Sequence, residues 1–417
     1  MKTSLILYLA ILLLAFNSCK KQEFSGTRPD QRLIQLKNEY TDLLTQAKNG
    51  WIGYLYPRGG NGYTFKFRFD ENNRVKTFAT VDREYGEKEF ESSYRLEMDQ
   101  LPTLSFDTYS YLHIIADPDG NASASDFEFS ILKIQNDTIK LRGNHNESEL
   151  LLVKAEDNQG DDFVQKAFSV EDQIINFNQF SNYYKKITIN NEVFSFNLNP
   201  IINVVSFSNM VDGKFKFYYS SYVLTDNGIR LQTPIELNGL AIREMNNLNF
   251  QKTQGIGNLL INKELNVKVE SITKPLYLDK ESPRRMHMDR KSYFSHTGLT
   301  INGVFDALEL KEMPSFVGVL FVPRVTLTNL DGSYIIYYAG ERYVGPQFNS
   351  FYKDDGKINF VPYELMTGYN PGPNYIDRVQ EFIRLWFIEG GYYVVQTAAR
   401  SYDLVSVANP KLWIRFN

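Results

Sequence analysis

The 417-residue sequence holds one cysteine, Cys19, and four histidines, His113, His145, His287 and His296. A single thiol excludes an internal disulfide, so the fold must rest on its apolar core, which is ample at this length. The histidines form no HExxH or similarly spaced pair, which argues against a zincin-type centre. No GxSxG elbow and no phosphate-cradling glycine loop occurs. Neither sign of charge dominates. Lys and Arg number 45 against 49 Asp and Glu, for a formal net charge of −4. No basic face of the kind nucleic acid requires is evident. The one long apolar run, residues 5–16, is too short to cross a hydrocarbon layer of ~30 Å as a helix rising ~1.5 Å per residue.

What is present begins with that run. Lys2, the apolar stretch and Asn17-Ser18 make a three-part secretory signal ending at Cys19. The segment resembles a bacterial lipobox, with Ser18 as the small residue before the cysteine and Phe16 in place of the usual leucine. This loose form is similar to that of Bacteroidetes lipoproteins. The resemblance implies that residues 1–18 are removed, that Cys19 is lipidated, and that residues 19–30 are a polar tether to a membrane. Several acyl chains would be needed for a firm anchor, because one alone binds marginally.

Beyond the tether the pattern is mainly β, with 27 Tyr and 30 Phe enriching strand-forming residues. Leu33, Leu36, Tyr40, Leu43, Leu44 and Ala47 fall on one stripe of a helix, led by Pro29 and stopped at Asn49-Gly50. Tyr63, Phe65, Phe67 and Phe69 then alternate with Thr64, Lys66 and Arg68, the mark of a strand with one buried face. Strand-like runs at 75–81, 104–106, 126–134, 138–142 and 150–154 complete a helix-plus-sheet domain over 31–155. An acidic linker follows at 156–162. A second helix is expected over 170–183, capped by Ser169 with Glu171 and Asp172 in its first turn. It opens a helix-plus-sheet region over 163–290. A β region over 291–417 follows, either separate or continuous with it. The fold class is therefore α+β, mainly antiparallel sheet, with an amphipathic helix opening each half. Residues 275–296 lack periodicity and read as a boundary or a long loop. Three segments, FKFRFDENNRVKTF, FKFYYSSYVLTDNGIRL and FNSFYKDDGKINF, share an aromatic strand, a polar turn and a return strand. A duplicated unit or ordinary hairpin chemistry would each produce that echo.

Residues 38–235 resemble a Bacteroidetes lipoprotein family whose domain is classed as of unknown function. The resemblance rests on Asn49-Gly50-Trp51, Phe67-x-Phe69-Asp70, Leu104-Ser105-Phe106-Asp107-Thr108-Tyr109, Asp126-Phe127-Glu128-Phe129, and Leu224-Thr225-Asp226-Asn227-Gly228-Ile229-Arg230-Leu231. It implies no catalytic residues. It implies a lipid-anchored outer-membrane protein, facing the periplasm or the exterior, associated with uptake proteins.

Candidate chemistry is sparse. His287 between Met286 and Met288 offers soft donors for copper or haem iron, yet a two-residue spacing specifies no metal geometry. Asp117-Pro118-Asp119-Gly120-Asn121 collects oxygens but departs from the EF-hand order, and turn formation accounts for it. Tyr369 and Tyr375 lie in the most loop-like aromatic cluster, GYNPGPNY, and are the best candidates for stacking on a sugar or peptide. Asp137-Thr138-Ile139 fits a short Bacteroidetes O-glycosylation signal at Thr138. No metal, cofactor or catalytic set emerges. The expected role is a non-enzymatic binding or accessory component of nutrient uptake. A glycan or peptide hydrolase and an adhesive surface protein are the alternatives.

Overall fold

A computed structural model of the chain describes residues 29–58, 61–98, 101–117, 125–325, 329–338, 342–367, 370 and 372–417. Helix α1, Pro29–Thr45, starts at the expected proline, and Gly50 behind it takes φ +72°, the left-handed geometry of a helix stop. Eight strands follow in order, from β1, Trp51–Tyr56, and β2, Tyr63–Phe69, through β3, Arg74–Ala79, to β8, Glu149–Lys154. Each pairs with its sequence neighbour, and β1 pairs with β8 to close a barrel. Phe65, Phe67 and Phe69 point inward, with Phe65 and Phe67 stacked at 5.1 Å between ring centroids. The last turn of α1 reaches this core through Leu44, whose carbonyl accepts from Trp51 Nε1 at 3.0 Å.

Two short helices, α2 (Arg83–Glu87) and α3 (Tyr111–Ala116), interrupt the first meander, and the next long helix, α4, spans Phe163–Asn178. It begins seven residues before the expected 170–183 helix, and Ser169 lies inside it. Burial explains the difference, because Phe163 and Val164 are packed against neighbouring elements and hold the chain helical upstream of the polar cap signal. A second closed barrel follows, from β9, Tyr184–Ile189, through β10, Glu192–Asn199, to β16, Leu265–Ile272. Val170, Ile174 and Phe177 of α4 fill its interior.

The stretch 275–296, expected as a loop, contains helix α5, Ser282–Asp289, with Pro283 at its start, and strand β17, Tyr293–Ser295. Only Ser282, Pro283 and Met286 of α5 are buried, too few for a visible period. The third sheet is built from β17, β18 (Leu299–Ile301), β19 (Phe316–Val322), β20 (Asp331–Tyr337), β21 (Arg342–Tyr352), β22 (Lys357–Thr367), β23 (Tyr392–Ala398), β24 (Ser401–Ser406) and β25 (Leu412–Phe416), in the order β17-β19-β20-β21-β22-β23-β24-β25-β18. Strand β17 at one end also meets the end of β25, since Phe294 and Asn417 exchange backbone hydrogen bonds of 3.3 and 3.0 Å. Between β22, Lys357–Thr367, and β23, Tyr392–Ala398, pairing is confined to two positions. Helix α6, Ile376–Trp386, lies in that connection, and its Val379, Phe382, Leu385 and Trp386 enter the core.

The three echoed segments are all hairpins: β2–β3, β12–β13 (Lys214–Leu224 and Gly228–Leu237) and β21–β22 (Arg342–Tyr352 and Lys357–Thr367). Apolar seams join the three sheets. Ile52, Tyr54 and Tyr56 meet Phe163 and Val223 between the barrels, and Tyr183 and Tyr184 meet Val405 and Trp413 between the second barrel and the third sheet. Thr64 Oγ1 donates to the Leu224 carbonyl at 2.5 Å across the first seam. Among the described residues no helix is long and apolar enough to cross a membrane.

Candidate ligand-binding cleft

The seams leave a cleft of about 800 Å³ where all three sheets converge. That volume lies within the range of small-ligand sites, which favour junctions between structural units. The first barrel contributes Arg58 and Tyr63, the second Tyr219 and Gln232, and the third unit Arg290 and Arg400. Tyr219 is 47% exposed, and its ring stacks on Phe217 at 5.5 Å, which fixes the plane it presents. Glu147 on the wall pairs with Arg58 at 3.5 Å, and Glu149 pairs with Lys140 at 3.3 Å. Arg290 and Arg400 have no carboxylate partner among the described residues. Arg290 packs 5.9 Å from the Tyr293 ring centroid. Burial and then the Asp289 carboxylate raise the Tyr293 phenol pKa, while Arg290 and Arg400 act against that rise. No sequence signal marks this site, because its residues lie between positions 56 and 417.

A second cavity, of about 60 Å³, lies between the second barrel and the third sheet. Lys185 is one of its lining residues and is fully buried. The Lys185 Nζ lies 4.8 Å from the Phe177 ring centroid, 5.4 Å from Tyr183, 5.7 Å from Trp413 and 5.9 Å from Phe180. Desolvation, reinforced by nearby Arg415 and opposed by Asp403, lowers its pKa from 10.5 to about 7. Arg415 itself grips Asp403, at 2.8 Å for Nη2 to Oδ2, and donates to Asn178 Oδ1 at 3.0 Å. This network ties α4 to β24, Ser401–Ser406, and β25.

The residues singled out in the sequence fall elsewhere. His287 sits on α5 with Nε2 3.0 Å from both carboxylate oxygens of Asp331. Asp331 also accepts from the Arg324 backbone N–H at 2.8 Å and from the Ser350 hydroxyl. Burial raises the Asp331 pKa, but these hydrogen bonds outweigh it and hold the carboxyl below its usual value. The carboxylate lies between serine and imidazole, the reverse of a nucleophile–base pair, and clamps three segments together. Met286 is in the core and Met288 is 59% exposed, so the three consecutive residues do not converge. Tyr375 is half-buried against the third core, with the Arg378 guanidinium 5.6 Å from its ring centroid. Tyr369 lies outside the described residues, as do Cys19 and residues 118–124 of the acidic loop. Asp126, at the end of that loop, is buried and accepts from the backbone N–H groups of His145 and Asn146 at 2.8 Å each. Thr138 opens β7, Thr138–Gly143, partly exposed beside the Asn136 turn. Among the described residues no cluster of three or more His, Cys, Asp or Glu is poised for a metal.

The architecture defines a class: consecutive antiparallel β-meanders, two of them closed eight-stranded barrels, joined side by side around a polar cleft. A family model described as a domain of unknown function (DUF4302) matches residues 20–249, more than half of the sequence, and the chain belongs to that family. No curated protein matches it. Among solved structures, transferrin binding protein B from Neisseria meningitidis is 10% identical, covering 88% of this chain and 73% of that one, with a TM-score of 0.13. The same protein from Haemophilus parasuis is 8% identical over 85% of this chain and 64% of that one, also at 0.13. A beta clamp from H. pylori is 9% identical over 92% and 96%, at 0.11. Likenesses this weak carry no argument about this chain.

Proposed function

We propose that the chain is a non-enzymatic ligand-binding component of the cell envelope, accessory to nutrient uptake, whose binding site is the cleft between the three sheets. The observation that carries this reading is the cleft itself, a mixed aromatic and charged opening of about 800 Å³ at a three-way junction. The signal-like start and Cys19 support a lipid anchor on the outer membrane. The test has two arms. The full chain, purified in detergent, is screened against glycans, peptides and haem, and saturable binding that Tyr219→Ala weakens is expected. Absence of any ligand counts against the reading. In cells, Cys19→Ala should leave the membrane fraction, and retention there would refute the anchor.

A further inference from the structure

Two arginines of the cleft stand outside any ion pair among the described residues. Arg290 and Arg400 are exposed, both line the cleft, and form no ion pair among the described residues, whereas the Glu147 and Glu149 side chains pair with Arg58 and Lys140. Guanidiniums outside any ion pair recognise planar or tetrahedral oxyanions, which they engage through several N–H donors at once. The rest of the wall speaks to what carries the oxyanion. Asn61, Gln232, Ser221 and Ser401 supply amides and hydroxyls that both donate and accept, as sugar hydroxyls do. Tyr219, held flat by Phe217, offers an apolar ring face of the kind that sugar C–H faces cover.

Resting on the reading of the cleft as the binding site, we propose that its ligand is an acidic oligosaccharide, with a carboxylate or sulfate at Arg290 and Arg400 and a sugar ring on Tyr219. The charged end sets orientation and selectivity, and the aromatic and amide groups read the sugar. Both arginines and the tyrosine are exposed, so their replacement leaves the barrel cores intact.

The test is calorimetric titration of the full chain in detergent with four probes: an oligogalacturonate, a sulfated heparin oligosaccharide, a neutral cello-oligosaccharide of similar length, and oligoglutamate. Binding of at least one acidic sugar is expected, at least about tenfold tighter than the neutral one, and weakened by added salt. Arg290→Gln with Arg400→Gln should remove that selectivity, while Tyr219→Ala weakens all sugars. Equal binding of the neutral sugar, lost with Tyr219→Ala and indifferent to the arginines, overturns the acidic assignment and leaves the cleft reading standing. Oligoglutamate binding as well as the acidic sugars overturns the glycan assignment in favour of an acidic peptide. Binding indifferent to all three substitutions, or no binding of any probe, overturns the proposal, and indifference to the substitutions removes the cleft reading with it.

Discussion

Replacing Lys185 with methionine should make the protein more stable near neutral pH, and should erase a pH dependence that the native chain carries. The amine is enclosed by Phe177, Phe180, Tyr183 and Trp413 and depressed from 10.5 to about 7. At ~1.4 kcal/mol per pH unit, holding this group charged in the folded state costs on the order of 5 kcal/mol. Methionine removes that cost while keeping most of the side-chain volume. The sign follows from proton counts. Below about pH 7 both states are protonated and the penalty is complete. Between there and 10.5 the unfolded chain holds a proton that the native chain lacks, so native stability rises with pH. Lys66, which donates to the Gln159 carbonyl at 2.6 Å and is lowered to about 8 by burial and then by Arg68, adds to the rise in its upper part. Buried tyrosines oppose the trend only above ~10, where unfolded phenols ionise. Urea unfolding followed by fluorescence suits the measurement, because Trp413 touches Lys185 directly. The native midpoint should climb between mildly acidic and mildly alkaline buffer, and the Lys185→Met midpoint should start higher and climb less. A variant less stable than the native protein at neutral pH, or a native midpoint that falls over the same range, would refute the reasoning.

Two further substitutions probe the seams. Arg415→Ala should destabilise by about 3–5 kcal/mol, since it strands the Asp403 carboxylate, 0% exposed, without its partner; denaturant titration checks this, and adding Asp403→Leu should recover much of the loss. Gly62→Ala places a Cβ 2.6 Å from the Tyr222 carbonyl and 2.7 Å from Val223 Cγ1, so the first barrel must shift against the second at about 1–3 kcal/mol. Limited proteolysis should then cut the 156–162 linker faster, with the circular dichroism of the barrels unchanged.

The barrels were legible where apolar and polar side chains alternate, even though Thr64 and Lys66 on the polar face of β2 are buried at a seam. Phe65, Phe67 and Phe69 against Thr64, Lys66 and Arg68 gave β2 its alternation, and Pro29 with Gly50 bracketed α1. Where a buried element lacks that alternation the pattern fails. The start of α4 was hidden because Phe163 and Val164 are buried around a helix whose visible polar signal, Glu171 and Asp172, answers Arg83 across the seam. Helix α5 buries too little to show a period, and Pro283 was its one local sign. The cleft was illegible on other grounds. Arg58, Tyr219 and Arg400 meet only because three meanders are set side by side, and no spacing along the chain encodes that meeting.

Strand β1 bears a burden that the finished barrel conceals. Its sequence, WIGYLY, has no charge, and every residue is buried. Its partner β8 lies at the far end of the meander, Trp51 opposite Lys154. A chain made N-terminus first therefore displays this apolar edge from the moment it emerges until the eighth strand arrives. Short, uncharged, β-prone segments are the ones that pair with foreign chains. Barrel closure thus doubles as protection against aggregation, and the interval before closure is when a chaperone would have most to gain by holding β1.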